Sequence, residues 1–226
     1  VYTGAEERPG HAYSLGAFRR QGVFGEALCG ALQMAGVTPD SFLAEYGDRQ
    51  YEYTVSPRLA LPAADQAVIS REMARAVAHR LGHRAIFSPM PVADGVGNGV
   101  HIHFSLQTKD RAPAMRDPAD ARFGLTDSAR RFCAGVLHHL PALCAITAPS
   151  PVSYQRLTPN RWAPTRIDMV RQDRGAALRV CPVFAAADET DKDRQCNVEF
   201  RVADATASPY FALGAILRAG ADGIAR

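Results

Sequence analysis

Residues 100–106 (VHIHFSL) alternate apolar and polar side chains without a break, a pattern that suits a strand with one face on a core. His101, His103 and Ser105 then share one face, and Ile102, Phe104 and Leu106 the other. The chain therefore needs a sheet that is packed on one side and carries polar groups on the other. Residues 94–99 (DGVGNG) lead into this strand with glycines at 95, 97 and 99, which let a backbone come close to a ligand. Taken alone, the HxH pair fits a surface pair or two satisfied core histidines as well as a binding wall.

The surrounding pattern predicts an α+β fold. Residues 1–20 read as a polar surface lead-in, and 24–34 as an amphipathic helix stopped by Gly36. Two short alternating runs, 41–47 and 50–56, meet across Gly47-Asp48-Arg49 as a hairpin. A long helix is expected over 64–81, with Pro62 at its start and Gly82 as its cap. Strands are expected at 84–90, 100–106, 153–157, 167–170, 176–180 and 197–202. Residues 107–124 form a surface excursion, Asp127 caps a helix ended by Pro141, and a last helix starts near Pro209. Hairpin strands set against long helices favour an antiparallel sheet over a doubly wound parallel one.

Composition excludes several classes. The 226 residues are 47% hydrophobic and 22% charged, with a net charge of +3, which describes a globular chain rather than a disordered one. Only Lys109 and Lys192 of the 26 basic residues are lysines, and the arginines are scattered among 23 acids, so no basic stripe points to nucleic acid. No run of 18 apolar residues predicts a membrane span. Five cysteines without CxxC spacing fit a reducing cytoplasm.

Several carboxylates and arginines could join the histidines in chemistry. Glu45 and Glu52 sit in the hairpin beside aromatic residues, and Glu199 shares a strand face with Arg201. Carboxylates with imidazole and no thiolate would select a hard or borderline divalent ion. Each has a plain alternative: a solvated strand glutamate for the first two, a surface ion pair for the third. Arg156, Arg174 and Arg179 bracket the last strands, and guanidinium forks converging on one sheet face would bind an anionic substrate.

Read in order, Glu45-x6-Glu52, residues 97–105 (GNGVHIHFS), 153–159 (SYQRLTP), 161–164 (RWAP), 174–179 (RGAALR), 197–201 (NVEFR) and the 204–213 run (DATASPYFAL) resemble the catalytic domain of the glutamine synthetase superfamily from about residue 20 onward. The resemblance implies a curved antiparallel sheet flanked by helices, half of a barrel shared between subunits. It implies two or more Mg2+ or Mn2+ ions held by Glu45, Glu52, His101 and Glu199, with ATP as co-substrate. It implies that His103, Ser105 and Arg179 face ATP, that Gly97, Arg156 and Arg201 hold glutamate, and that Arg174 steadies the transferred phosphoryl group. Stacked rings, as in a dodecamer, are the implied homo-oligomer. The family's N-terminal β-grasp domain, an upstream strand with further metal ligands and a C-terminal helical segment would lie outside residues 1–226, leaving a trimmed core inactive by itself.

Two positions depart from the family pattern. Trp162 stands where glutamine-forming members carry a glutamate that binds ammonium, and Val96 stands where they carry an asparagine. The expected activity is thus ATP-dependent joining of the glutamate γ-carboxylate to an amine through γ-glutamyl phosphate, with an organic amine favoured by a buried Trp162. Ordinary glutamine synthesis from ammonium, a non-catalytic metal- and nucleotide-binding relative, and a metal-dependent hydrolase are the alternatives, the arginine set speaking against the last.

Overall fold

The computed structural model describes residues 12–226, which divide between two compact units, one ending at Ile86 and the other Phe87–Arg226. In the first, α1 (Leu15–Arg19) begins at Ser14, whose hydroxyl accepts from the Ala17 N–H at 3.1 Å. This helix corrects the reading of 1–20 as a loop; residues 1–11 of that segment lie outside the described residues. Helix α2 (Gly22–Met34) buries Leu28 and Leu32 and ends at Gly36, whose φ of +75° is the left-handed cap that the sequence predicts. Strands β1 (Pro39–Ala44) and β2 (Tyr51–Val55) form the expected antiparallel hairpin with Leu43 opposite Glu52. Phe42 in β1 stacks on Tyr51 with ring centroids 5.4 Å apart. Helix α3 (Ala60–Arg80) starts a turn earlier than its apolar spacing indicates, with Pro62 in the first turn, where a missing N–H costs nothing.

The second unit holds the remaining elements: β3 (Ile102–Phe104), α4 (Asp127–His138), α5 (Leu140–Thr147), α6 (Ser153–Arg156), β4 (Arg166–Arg171), β5 (Ala176–Val180), α7 (Glu189–Gln195), β6 (Val198–Phe200) and α8 (Pro209–Ala225). The sheet order is β3-β6-β5-β4, with β3–β6 and β6–β5 antiparallel and β4 added parallel to β5. One sheet face packs on α4 and α8 through Leu178, Val198, Phe200, Phe132, Val136 and Ile216. The apolar half of the opening alternation behaves as its spacing predicts, since Ile102, Phe104 and Leu106 all pack against this core. Helices α4 and α8 approach closely enough that a Cβ on Gly135 would meet the Ala219 carbonyl at 2.3 Å.

Local chemistry explains where sequence reading and structure differ. Residues 84–90 form no strand: the Ser88 and Pro89 carbonyls instead accept from the side-chain and backbone N–H groups of Asn98. The segment 153–157 is helix α6 rather than a strand, entered through a turn in which Ser150 Oγ accepts from the Val152 N–H. Thr126 caps α4, while Asp127 pairs with Arg131 at 2.7 Å. Pro141 does not stop a helix but occupies the first turn of α5. Helix α7 is too polar to show a periodicity and rests on the Asp188 cap and on Arg116, which bonds Glu189 and Asp193. Among the described residues no helix is long and apolar enough to cross a membrane.

Candidate active site

A row of charge crosses the polar face of the sheet in the second unit. Register places His103 in β3 and Arg179 in β5 on either side of Glu199 in β6. The Glu199 side chain is 1% exposed. Its Oε1 accepts from Arg201 Nη1 at 2.6 Å and lies 3.1 Å from His101 Nδ1, while Arg179 Nε donates to Oε2. Burial pulls the Glu199 carboxyl upward, but His101, Arg201 and Arg179 outweigh it and hold it below the usual range. A buried ion pair is thus supported by enough donors to stay charged.

His101 sits beside this carboxylate without sharing its charge. Burial first, and then the Arg201 cation, push its imidazole down to about 3 against the pull of Glu199. With its side chain 31% exposed, His101 is neutral near pH 7. With the Nδ1 proton directed at Glu199, Nε2 keeps a lone pair. A Cβ on Gly99 would stand 3.2 Å from that Nε2 and 3.0 Å from Arg156 Nη1, so glycine keeps this corner open. A neutral imidazole next to an ionised carboxylate fits a divalent cation. Among the described residues no three His, Cys, Asp or Glu side chains are gathered as a metal-binding group.

His103 extends the row outward. Its Nδ1 lies 2.9 Å from Asn197 Oδ1 and its Nε2 lies 3.7 Å from Glu199. Ser105 is exposed on the same side. The other two predicted carboxylates belong to the first unit. Glu52 is half-buried in β2, and Glu45 follows β1, accepting from Tyr13 Oη at 3.1 Å and from the Tyr46 N–H at 3.3 Å.

Arg201 organises the segments around the row. Besides Glu199, its Nε donates to the Arg174 carbonyl and its Nη2 to the Trp162 carbonyl, each at 3.2 Å. One guanidinium thereby ties the turn before β5 and the 160s segment to the centre of the sheet. The Arg174 side chain is exposed. Arg156 reaches in from α6 rather than from a strand; it is buried, and its Nη2 donates to the Val202 and Ala203 carbonyls. The three arginines read from sequence thus come from a helix, a turn and a strand.

Trp162 corrects an expectation. Its side chain is not buried but 56% exposed, on a backbone with φ of +52°, and Asn160 two residues earlier is also left-handed at +65°. These strained residues border a cleft of about 470 Å³ lined by Asp94, Val96, Pro159, Arg161 and Trp162 among others. The cleft thus joins both departures from the family pattern, Val96 and Trp162.

Three supporting residues lie in the quoted motifs without a role read for them from the sequence. Asp204, buried 3.9 Å from Arg156, opens the 204–213 motif, in which no role was assigned to it. Asn197 steadies His103, and Arg161 Nη1 donates to the Gly95 carbonyl at 2.9 Å across the cleft. The latter two open the motifs 161–164 and 197–201, in which no role was assigned to them.

The family model described as "Glutamine synthetase, catalytic domain" matches residues 2–226. A gamma-glutamylpolyamine synthetase of Streptomyces coelicolor is 41% identical over 204 residues, covering 88% of this chain and 41% of that protein. A glutamine synthetase of Pyrococcus woesei is 36% identical over 189 residues, covering 84% of this chain and 40% of that protein. The crystal structure of a novel glutamine synthase homolog superposes with a TM-score of 0.88 at 45% identity, covering 97% of this chain and 51% of that one. The chain spans about two fifths of the length of these curated relatives. Matched from its second residue to its last, and folded like a homologue 45% identical to it, the chain belongs to the glutamine synthetase family, in the region of its catalytic domain.

Proposed function

We propose that the protein of which this chain is the catalytic region joins the γ-carboxylate of glutamate to an organic amine at the expense of ATP. A carboxylate is a poor electrophile, so ATP first transfers its terminal phosphoryl group to the γ-oxygen, releasing ADP. The amine then attacks the carbonyl carbon of γ-glutamyl phosphate, expels phosphate and loses a proton to give the amide. Glu45 and Glu52 would be ligands of one Mg2+ or Mn2+ ion and His101 and Glu199 of another, which would neutralise charge on the phosphate oxygens.

The remaining roles belong to the chain's own cations and walls. Arg156 and Arg201, with the backbone at Gly97, hold the substrate glutamate by its carboxylates. Arg179 meets the nucleotide phosphates beside the wall formed by His103 and Ser105, and Arg174 meets the transferred phosphoryl group. Arg201 and Arg179 are already oriented by Glu199, so little reorganisation accompanies charge build-up.

The observation that carries the choice of amine is the cleft at Val96 and Trp162, connected to the row through the bond from Arg201 to the Trp162 carbonyl. An indole offers ammonium only a cation–π contact and no base for its proton, whereas the alkyl part of an organic amine gains about 25 cal/mol per Å² of apolar surface covered. Amide formation by the full-length protein, with ATP, glutamate and either ammonium or a panel of amines, tests this. An organic amine should be used more efficiently than ammonium, and Trp162→Glu should shift the ratio toward ammonium. Glutamine formation more efficient than any γ-glutamyl amide would overturn the reading in favour of ordinary glutamine synthesis.

A further inference from the structure

We infer that Phe184 is a platform for the base of the nucleotide, whose flat purine stacks on the Phe184 ring while its phosphates meet Arg179. The inference rests on the proposed use of ATP and adds a residue that holds the base.

Strand β5 ends one residue after Arg179, and the segment that follows it begins beside the row: Cys181 Sγ lies 3.6 Å from His103 Nδ1. Two residues further on, Val183 packs against the core, whereas Phe184 is left 69% exposed. The backbone that carries this ring is held at two points. The Phe184 N–H donates to Gln195 Oε1 at 2.9 Å, and its carbonyl accepts from the Ala187 N–H at 3.1 Å. Gln195 is the last residue of α7, the helix paired to Arg116 through Glu189 and Asp193. The Gln195 carbonyl accepts from Asn197 Nδ2 at 2.7 Å, and Asn197 Oδ1 lies 2.9 Å from His103 Nδ1. Gln195 and Asn197 thus connect the Phe184 backbone to the histidine proposed to face ATP. An aromatic ring mounted in this way is an apolar π-face in place before the ligand arrives, so stacking on it needs little ordering of the chain. The nucleobase is the one flat π-system among ATP and glutamate, and it gains from such a face whatever its edge bears. Phosphates and the glutamate carboxylates are anionic and gain nothing from it.

The test separates the base from the phosphates. With full-length protein, glutamate and amine, Phe184→Ala should raise the KM for ATP by about fivefold or more, the scale of one base–aromatic stack, and should leave the KM for glutamate where it is. Phe184→Tyr and Phe184→Trp, which keep a π-face, should restore most of the loss. Inorganic tripolyphosphate, competing with ATP but carrying no base, should inhibit the wild type and Phe184→Ala at the same concentration. An unchanged KM for ATP in Phe184→Ala would overturn the role of Phe184, as would a weakening of ATP and tripolyphosphate alike or a change confined to the assembly state, the last marking the ring as a contact between chains. Each of these results leaves the ligase reading standing. A wild-type protein that forms no γ-glutamyl amide from ATP would remove that reading and this inference together.

Discussion

Arg156 and Asp204 lie 3.9 Å apart, with side chains 3% and 0% exposed. Burial lowers the Arg156 pKa to about 10, and Asp204 is the charge that resists the fall. Asp204 also accepts from the Thr206 N–H and hydroxyl, so it fixes the loop after β6 as well as the guanidinium. Asp204→Asn keeps an acceptor for Thr206 but leaves a buried cation uncompensated. Chemical denaturation should show a loss of about 3 kcal/mol, the scale for removing one partner of a buried pair. A loss below about 1 kcal/mol would mean that the carbonyls of Val202 and Ala203 hold Arg156 without help.

Gly97 is where backbone and guanidinium stem touch. A Cβ there would meet Arg156 Cγ at 2.6 Å and the Pro89 carbonyl at 2.9 Å. The side chain could yield, but the carbonyl belongs to a segment pinned by both Asn98 bonds. Gly97→Ala should therefore cost about 1–3 kcal/mol, the scale of overpacking, and raise the KM for glutamate in the full-length protein by displacing Arg156. An unchanged melting temperature together with an unchanged KM would show that the loop relaxes freely.

Much of the site was legible because strand alternation acts locally. The order His101, His103, Ser105 against Ile102, Phe104, Leu106 fixes which side is core, and the spacing of Glu199 and Arg201 fixes their common face. What stayed hidden depends on pairing between distant segments. That Arg179 lies opposite Glu199 is a property of register, and that Arg201 holds the carbonyls of Arg174 and Trp162 is a property of tertiary packing. The misread 153–157 segment shows the limit from the other side. Four residues are too few to reveal a helical period, and their β-like alternation was overridden by the Ser150 turn.

Acid should unfold the second unit early. His101 falls from its ordinary 6.5 to about 3 on folding, so between those values the unfolded chain binds a proton that the folded one does not, and stability drops as pH falls. Glu199, lowered by folding, acts in the same sense: its contribution is intact above the ordinary glutamate value and is lost as pH falls through the lowered one. Denaturation midpoints in chelator-containing buffers should decline from about pH 6.5 downward, before most carboxylates titrate. His101→Gln should flatten the upper part of that decline. A wild-type curve flat from pH 7 to 5 would exclude a neutral His101.

Arg179 distinguishes a phosphate-binding role from a purely structural one. Its Nε is committed to Glu199 Oε2, which leaves the Nη groups to meet an anion beside His103. If it serves the nucleotide, Arg179→Ala in the full-length protein should weaken ATP use by roughly 2–4 kcal/mol, the scale for deleting one partner of a close charged pair. The loss should appear in the ATP response more than in the glutamate response. Arg179→Lys should recover part of it, because a point charge replaces the fork on the phosphate but cannot bond Glu199 in the same geometry. Were Arg179 only the counterion of Glu199, Arg179→Ala would lower the melting temperature and affect ATP and glutamate kinetics alike. An unchanged ATP response beside a lowered melting temperature would therefore end the phosphate assignment and leave Arg179 as a support for the carboxylate at the centre of the row.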